Sequence, residues 1–111
     1  MNDFPGFIKS PHNRVPRNKQ NTQDIDGYFF QCSDNKQLAF WTCNSDQVSK
    51  KHINDFDEYM VCLSGRYTAF FGEKEFVLNP GDELLIPKGT PQWGKCIAGT
   101  RTLHFFNGKR V

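Results

Sequence analysis

The stretches HINDFDEYMVCLSG, residues 52–65, and PGDELLIPKGTPQWG, residues 80–94, decide how this chain is read. The first begins with two polar side chains two positions apart, His52 and Asn54. On an extended segment alternate side chains share a face, so these two point the same way. After a break near Asp55, Glu58 opens a run in which Met60 and Cys62 follow on its face. Tyr59, Val61 and Leu63 take the other face. The second stretch is a Pro-Gly turn, a short apolar strand and a second Pro/Gly-rich loop that leads into another strand at Gln92. Gly65, Gly81 and Gly89 stand where turns need positive φ or a close approach, and Pro80 and Pro87 stiffen the way into them.

Outward from these stretches the pattern stays extended. GYFFQC and LAFWTC, at 27–32 and 38–43, are strands joined by the turn residues SDNKQ. RYTAFF, the tight turn GEK and EFVLN make a second hairpin, and TLHFF a closing strand. NSDQVSK, 44–50, is a polar connection. No window of a dozen residues carries the i, i+3, i+4, i+7 apolar spacing of a helix. Short strands with frequent turns predict an all-β sandwich or barrel. Residues 1–24 are polar, contain three prolines and lack either periodicity. They predict a flexible or swapped N-terminal arm, with Phe4, Phe7 and Ile8 as anchors in the swapped case, and residues 25–111 form the barrel.

A chain of 111 residues is long enough for one domain with one modest core. Fourteen basic and 12 acidic residues leave a net charge of +2, and no basic run is interleaved with aromatics, so no nucleic-acid partner is expected. No segment approaches the ~18 apolar residues of a membrane span, and the N-terminus lacks the apolar core of a signal peptide. The expected setting is cytoplasmic, with thiols mostly reduced. Four cysteines occur without a C-x-x-C, which argues against a zinc ribbon or thioredoxin-like site. Cys32 and Cys43 flank the first hairpin and are the pair considered for a disulfide. Cys62 is buried by pattern and reads as inert rather than nucleophilic. There is no G-x-S-x-G and no phosphate-cradling loop.

The two opening stretches resemble the paired motifs of the cupins, small double-stranded β-helix barrels of the jelly-roll type. The first cupin motif runs His-x-His, three or four residues, Glu, six residues, Gly. Here it is His52, Asn54, Glu58 and Gly65, with Asn54 in place of the second His. The second motif runs Gly, five residues, Pro-x-Gly, two residues, His. Here it is Gly81, Pro87, Gly89 and Gln92, with Gln92 in place of the His. The resemblance implies a divalent metal, Mn, Fe, Ni or Zn, held by His52, Asn54, Glu58 and Gln92. Amide oxygens are weaker donors than imidazole, so this set implies weak binding or none. A polar network in which the four satisfy one another is the other reading.

His104, on the closing strand with Thr102 and Phe106 on its face, is a third candidate beside His52 and Glu58 for acid–base work. Phe40 (or Trp41), Met60, Phe70 (or Phe71) and Phe106 are the expected pocket walls. Trp93 should point away from Gln92, as outer packing or interface. Arg101 reads as an anion ligand or a surface ion pair. Two functions remain. One is an isomerase- or lyase-type enzyme, metal-dependent or using His52 and Glu58 directly, on a small oxygenated substrate. The other is a metal-free module that binds a small molecule or a protein. A homodimer is expected in either case.

Overall fold

The computed structural model describes the whole chain, Met1–Val111. Nine strands follow three single 3-10 turns in the arm. They are β1 (Ile25–Gln31), β2 (Gln37–Cys43), β3 (Gln47–Val48), β4 (Glu58–Ser64) and β5 (Tyr67–Phe71). Then come β6 (Lys74–Leu78), β7 (Glu83–Ile86), β8 (Gln92–Cys96) and β9 (Arg101–Phe106). The all-β expectation holds. The one strand absent from the sequence reading is β3, two residues inside the polar connection 44–50, too short for a period to show.

The strands form two antiparallel sheets, ordered β1-β2-β9-β4-β7 and β3-β8-β5-β6. Local chemistry sets the turns. Asp34 and Asn35, between β1 and β2, both sit at φ 59, the left-handed region that short polar side chains tolerate. Gly81 and Gly89, in the turns flanking β7, have φ of 94 and 78. On β8, Gly94 lies under the Tyr67 hydroxyl, where a Cβ would collide with it.

Two apolar clusters fill the space between the sheets. One joins Val15, Ala39, Trp41 and Phe106; the other joins Met60, Cys62, Leu78 and Ile86. His104 lies between them, because β9 pairs it with Ala39 on one side and Met60 on the other.

The arm lies along the barrel. Phe4 packs on Phe40 at 4.6 Å, and Val15 is 2% exposed with its N–H donated to the Gly27 carbonyl. Gln20 Oε1 accepts from the Trp41 indole at 2.7 Å, and the Asn21 carbonyl from the Lys50 N–H. Gln20–Thr22 thereby cross the barrel mouth as a strap.

The cysteine expectation needs correction. Cys43 pairs with Cys96, tying β2 of one sheet to β8 of the other, while Cys32 and Cys62 are free. Cys32 follows β1 at the turn end of the hairpin and Cys43 ends β2 at the open end, so the expected partners lie a strand length apart. No helix is long and apolar enough to cross a membrane.

Candidate functional site

A cavity of about 70 Å3 opens between the sheets at the barrel mouth. That is room for a few waters or a ligand of a few heavy atoms. Glu58, His104, Thr102, Gln92 and His52 bring polar groups to it; Trp41, Tyr67 and Phe106 supply aromatic wall; Gln20–Thr22 and Arg110 close over it.

Glu58 is the centre of the polar groups. It opens β4 on the inward face, at 5% exposure. Its Oε2 accepts from His104 Nδ1 at 2.7 Å, and its Oε1 from Asn54 Nδ2 at 2.9 Å and, weakly, from Gln92 Nε2 at 3.4 Å. Burial alone would push this carboxyl up. The hydrogen bond and charge of His104, then the charge of His52 and the Gln92 amide, outweigh burial and hold it below its ordinary value. An ionised Glu58 can only accept, so His104 carries its proton on Nδ1. In the neutral imidazole Nε2 is then a lone pair that accepts from Thr102 Oγ1 at 2.9 Å; in the imidazolium, the form whose charge holds Glu58 low, Nε2–H donates to that hydroxyl. The result is a carboxylate–imidazole–hydroxyl chain on the cavity wall. Trp41 meets the imidazole edge-on at 4.9 Å and Phe106 stacks on it at 5.8 Å, which fixes the ring.

Arg110 is half-buried at the mouth, 5.8 Å over the Trp41 ring, with no carboxylate in ion-pair range and no hydrogen bond from its guanidinium. Burial lowers its pKa, and Glu58 partly restores it. Gln37, wholly buried, holds the backbone here. Its Oε1 accepts from the Arg110 and Val111 N–H groups at 2.7 and 2.8 Å, and its Nε2 donates to Val111 O at 2.9 Å. Desolvation and then the charge of Glu58 raise the Tyr67 phenol well above its ordinary range, so it stays a neutral hydroxyl.

No protein-family model matches the sequence, and no curated protein matches it. Solved structures do. A cupin superfamily protein from Desulfitobacterium hafniense superposes with a TM-score of 0.69 at 15% identity, over 76% of this chain and 77% of that one. A cupin-2 domain protein from Rhodospirillum rubrum gives 0.70 at 15%, over 88% and 69%. KdgF from a Halomonas species gives 0.68 at 13%, over 85% and 92%. The chain has the cupin fold. At these identities the likeness establishes the fold alone.

Within this cupin barrel the motif residues meet unevenly. Asn54, Glu58 and Gln92 come together as one hydrogen-bonded group, with His104 as its fourth member. His52 bridges to Gln92 through backbone, its Nδ1 lies 3.1 Å from the Lys50 carbonyl, and the residue lines the cavity. Both Glu58 oxygens already accept from N–H donors, and no three His, Cys, Asp or Glu side chains gather as a cation would need. As arranged, Asn54, Glu58, Gln92 and His104 form one hydrogen-bonded network around the carboxylate.

The expected walls divide. Phe106 lines the cavity, and Met60 lies inward in the second apolar cluster beneath it. Phe40 and Phe70 point the other way, and this corrects the expectation that they would face the pocket. Phe40 is on the outer face of β2, under Phe4, Tyr28 and Phe30, and Trp41 takes the inward position. Phe70 is on the outer face of β5, stacked on Trp93 at 3.9 Å; Trp93 faces outward as expected. In both strands apolar residues occupy both parities, so composition does not mark the inner face. Arg101 is neither anion ligand nor ion pair: it is buried, bonded to Ser64 Oγ and the Met1 carbonyl, with Phe4 over it. Burial raises the Cys62 thiol, in keeping with an inert core residue. Sequence reasoning missed Arg110, Thr102, Tyr67 and the strap as site components. Only the i, i+2 spacing of Thr102 and His104 marked any of them.

Proposed function

We propose that the barrel mouth binds a small oxygenated anion and moves a proton on it, as an isomerase- or lyase-type enzyme that works without a metal. The observation that carries this is the Glu58–His104–Thr102 chain beside an Arg110 that has no carboxylate partner in the protein. Arg110 takes the substrate's carboxylate in the fork geometry guanidinium favours. The Thr102 hydroxyl turns aside, and His104 Nε2 accepts a proton from the carbon next to a carbonyl. Glu58 stabilises the imidazolium that forms and keeps its Nδ1–H in place. Return of the proton to a neighbouring atom completes an isomerisation; its delivery to a departing hydroxyl completes an elimination. Trp41, Phe106 and the strap exclude water, which strengthens each of these electrostatic contacts.

The test uses pyruvate as the probe and follows exchange of its methyl protons for deuterium in D2O by NMR. Wild type should accelerate exchange over buffer, His104→Gln should not, and Arg110→Gln should weaken saturation. Saturable pyruvate binding with no exchange would favour the second reading, a ligand-binding barrel without catalysis. The small, strap-covered cavity supports that reading too. Neither binding nor exchange would remove both. A homodimer belongs to the same proposal. Tyr59, Leu85 and Phe105 are exposed and paired by register on the outer face of the five-stranded sheet, an apolar row that a second copy can cover.

A further inference from the structure

A second cleft, of about 620 Å3, lies on the outside of the four-stranded sheet where β3, β8 and β5 meet. That size is in the range of small-molecule sites. Three cations line it: Lys50, Arg66 and Lys95. Each is exposed, and none is in an ion pair; the pairs in this chain are Lys9–Asp3, Arg14–Asp26 and His104–Glu58. The one carboxylate in the lining, Asp46, is engaged by the Ala98 N–H at 2.8 Å. Three positive charges in one concavity repel one another, and the single carboxylate of Asp46 offsets only one of them.

The sheet sets this arrangement. Register places Lys95 beside Val48 of β3 and Thr68 of β5, one row on the outer face. The next row is the Phe70–Trp93 stack, and Lys95 Nζ sits 5.3 and 5.8 Å from the two ring centres. Such contacts restrain an otherwise free side chain. Lys50 is tied from the other side, its N–H donated to the Asn21 carbonyl. Thr68 and the amide of Gln23 add neutral donors to the lining.

We infer that this cleft is a second binding site, for a small multiply charged oxyanion. Its ligand carries two or more phosphate or carboxylate groups, because three separated cations match several anionic centres better than one. None of its three cations lines the barrel-mouth cavity, and the two share Asn21, Gln47 and Cys96 along a common wall.

The experiment titrates the full chain with pyrophosphate, with citrate and with acetate, reading amide shifts by NMR at low ionic strength. Pyrophosphate or citrate should saturate a single site, with the largest shifts at Lys50, Arg66, Thr68 and Lys95; acetate should not saturate. Saturation by pyrophosphate alone assigns phosphate groups, and saturation by both assigns any clustered oxyanion. An Arg66→Gln/Lys95→Gln variant should bind on the order of tenfold or more weakly, the size expected for losing charge-assisted bonds. Lys50→Gln alone should weaken binding in the same direction, and His104→Gln should bind as wild type. Shifts that rise without saturation and spread to remote lysines such as Lys9, Lys19 and Lys74 would overturn the site. So would unchanged binding by the double variant, or shifts centred on His104 and Arg110.

Discussion

Replacing Glu58 separates the two tasks this side chain performs. Glu58→Ala leaves Asn54 Nδ2 and His104 Nδ1 facing a void where they had acceptors at 2.9 and 2.7 Å. The 3.4 Å contact of Gln92 is too long to weigh much. Each orphaned buried donor costs about 1–3 kcal/mol. The two together cost about 2–6 kcal/mol, and relief of the carboxylate's own desolvation offsets part of that. The balance is a loss of about 2–3 kcal/mol, or a Tm lower by roughly 8–12 °C for a chain of this size. Glu58→Gln is different. Its carbonyl still accepts from Asn54, and its amide N–H now points at His104. The imidazole answers by moving its proton to Nε2, where Thr102 Oγ1 accepts it. Stability falls by only about 1 kcal/mol, the charge-assisted part of the bonds. The basic lone pair, however, leaves the cavity, so proton exchange on pyruvate should vanish from a folded protein. Thermal denaturation reads the first effect, and 15N shifts of the His104 ring read the second. The reasoning fails if Glu58→Ala is as stable as wild type, or if the ring tautomer is the same in wild type and Glu58→Gln.

Three further outcomes follow from the same contacts. The folded-state pKa of Glu58 lies below its ordinary 4.5, so its stabilisation is fully present above that pH and is lost as pH falls through the folded value. Urea midpoints measured downward from pH 5 should drop for wild type and much less for Glu58→Gln. The Cys43–Cys96 bridge spans 53 residues, for which the chain-entropy argument expects about 4 kcal/mol. Guanidinium unfolding with and without dithiothreitol should differ by about 2–4 kcal/mol in wild type and not at all in the Cys43→Ala/Cys96→Ala variant. Gln20→Ala removes the acceptor of the Trp41 indole and loosens the strap. It should cost about 0.5–1.5 kcal/mol and increase acrylamide quenching of tryptophan emission; unchanged quenching would mean the strap does not shield the mouth.

The sequence by itself determined the architecture. Turn chemistry is local: Gly81 and Gly89 take positive φ at no steric cost, and Asp34-Asn35 tolerates the left-handed region a tight turn needs. Period-two patterning was therefore enough to predict an all-β sandwich or barrel, and the resemblance of the two motif stretches to the cupins implied that Asn54, Glu58 and Gln92 meet, as they do. Tertiary structure decided everything that depends on which strand lies beside which. Glu58 and His104 are 46 residues apart, and only the pairing of β4 with β9 brings them to 2.7 Å. Cys96 rather than Cys32 faces Cys43 because the second sheet closes over the open end of the hairpin. Trp41 rather than Phe40 faces the cavity because parity is set by the partner strand when both faces are apolar. Arg110 joins the site only because Gln37, 73 residues earlier, holds its backbone there. A contact between distant residues is the joint product of every turn and register between them, so no short window of sequence carries its signal.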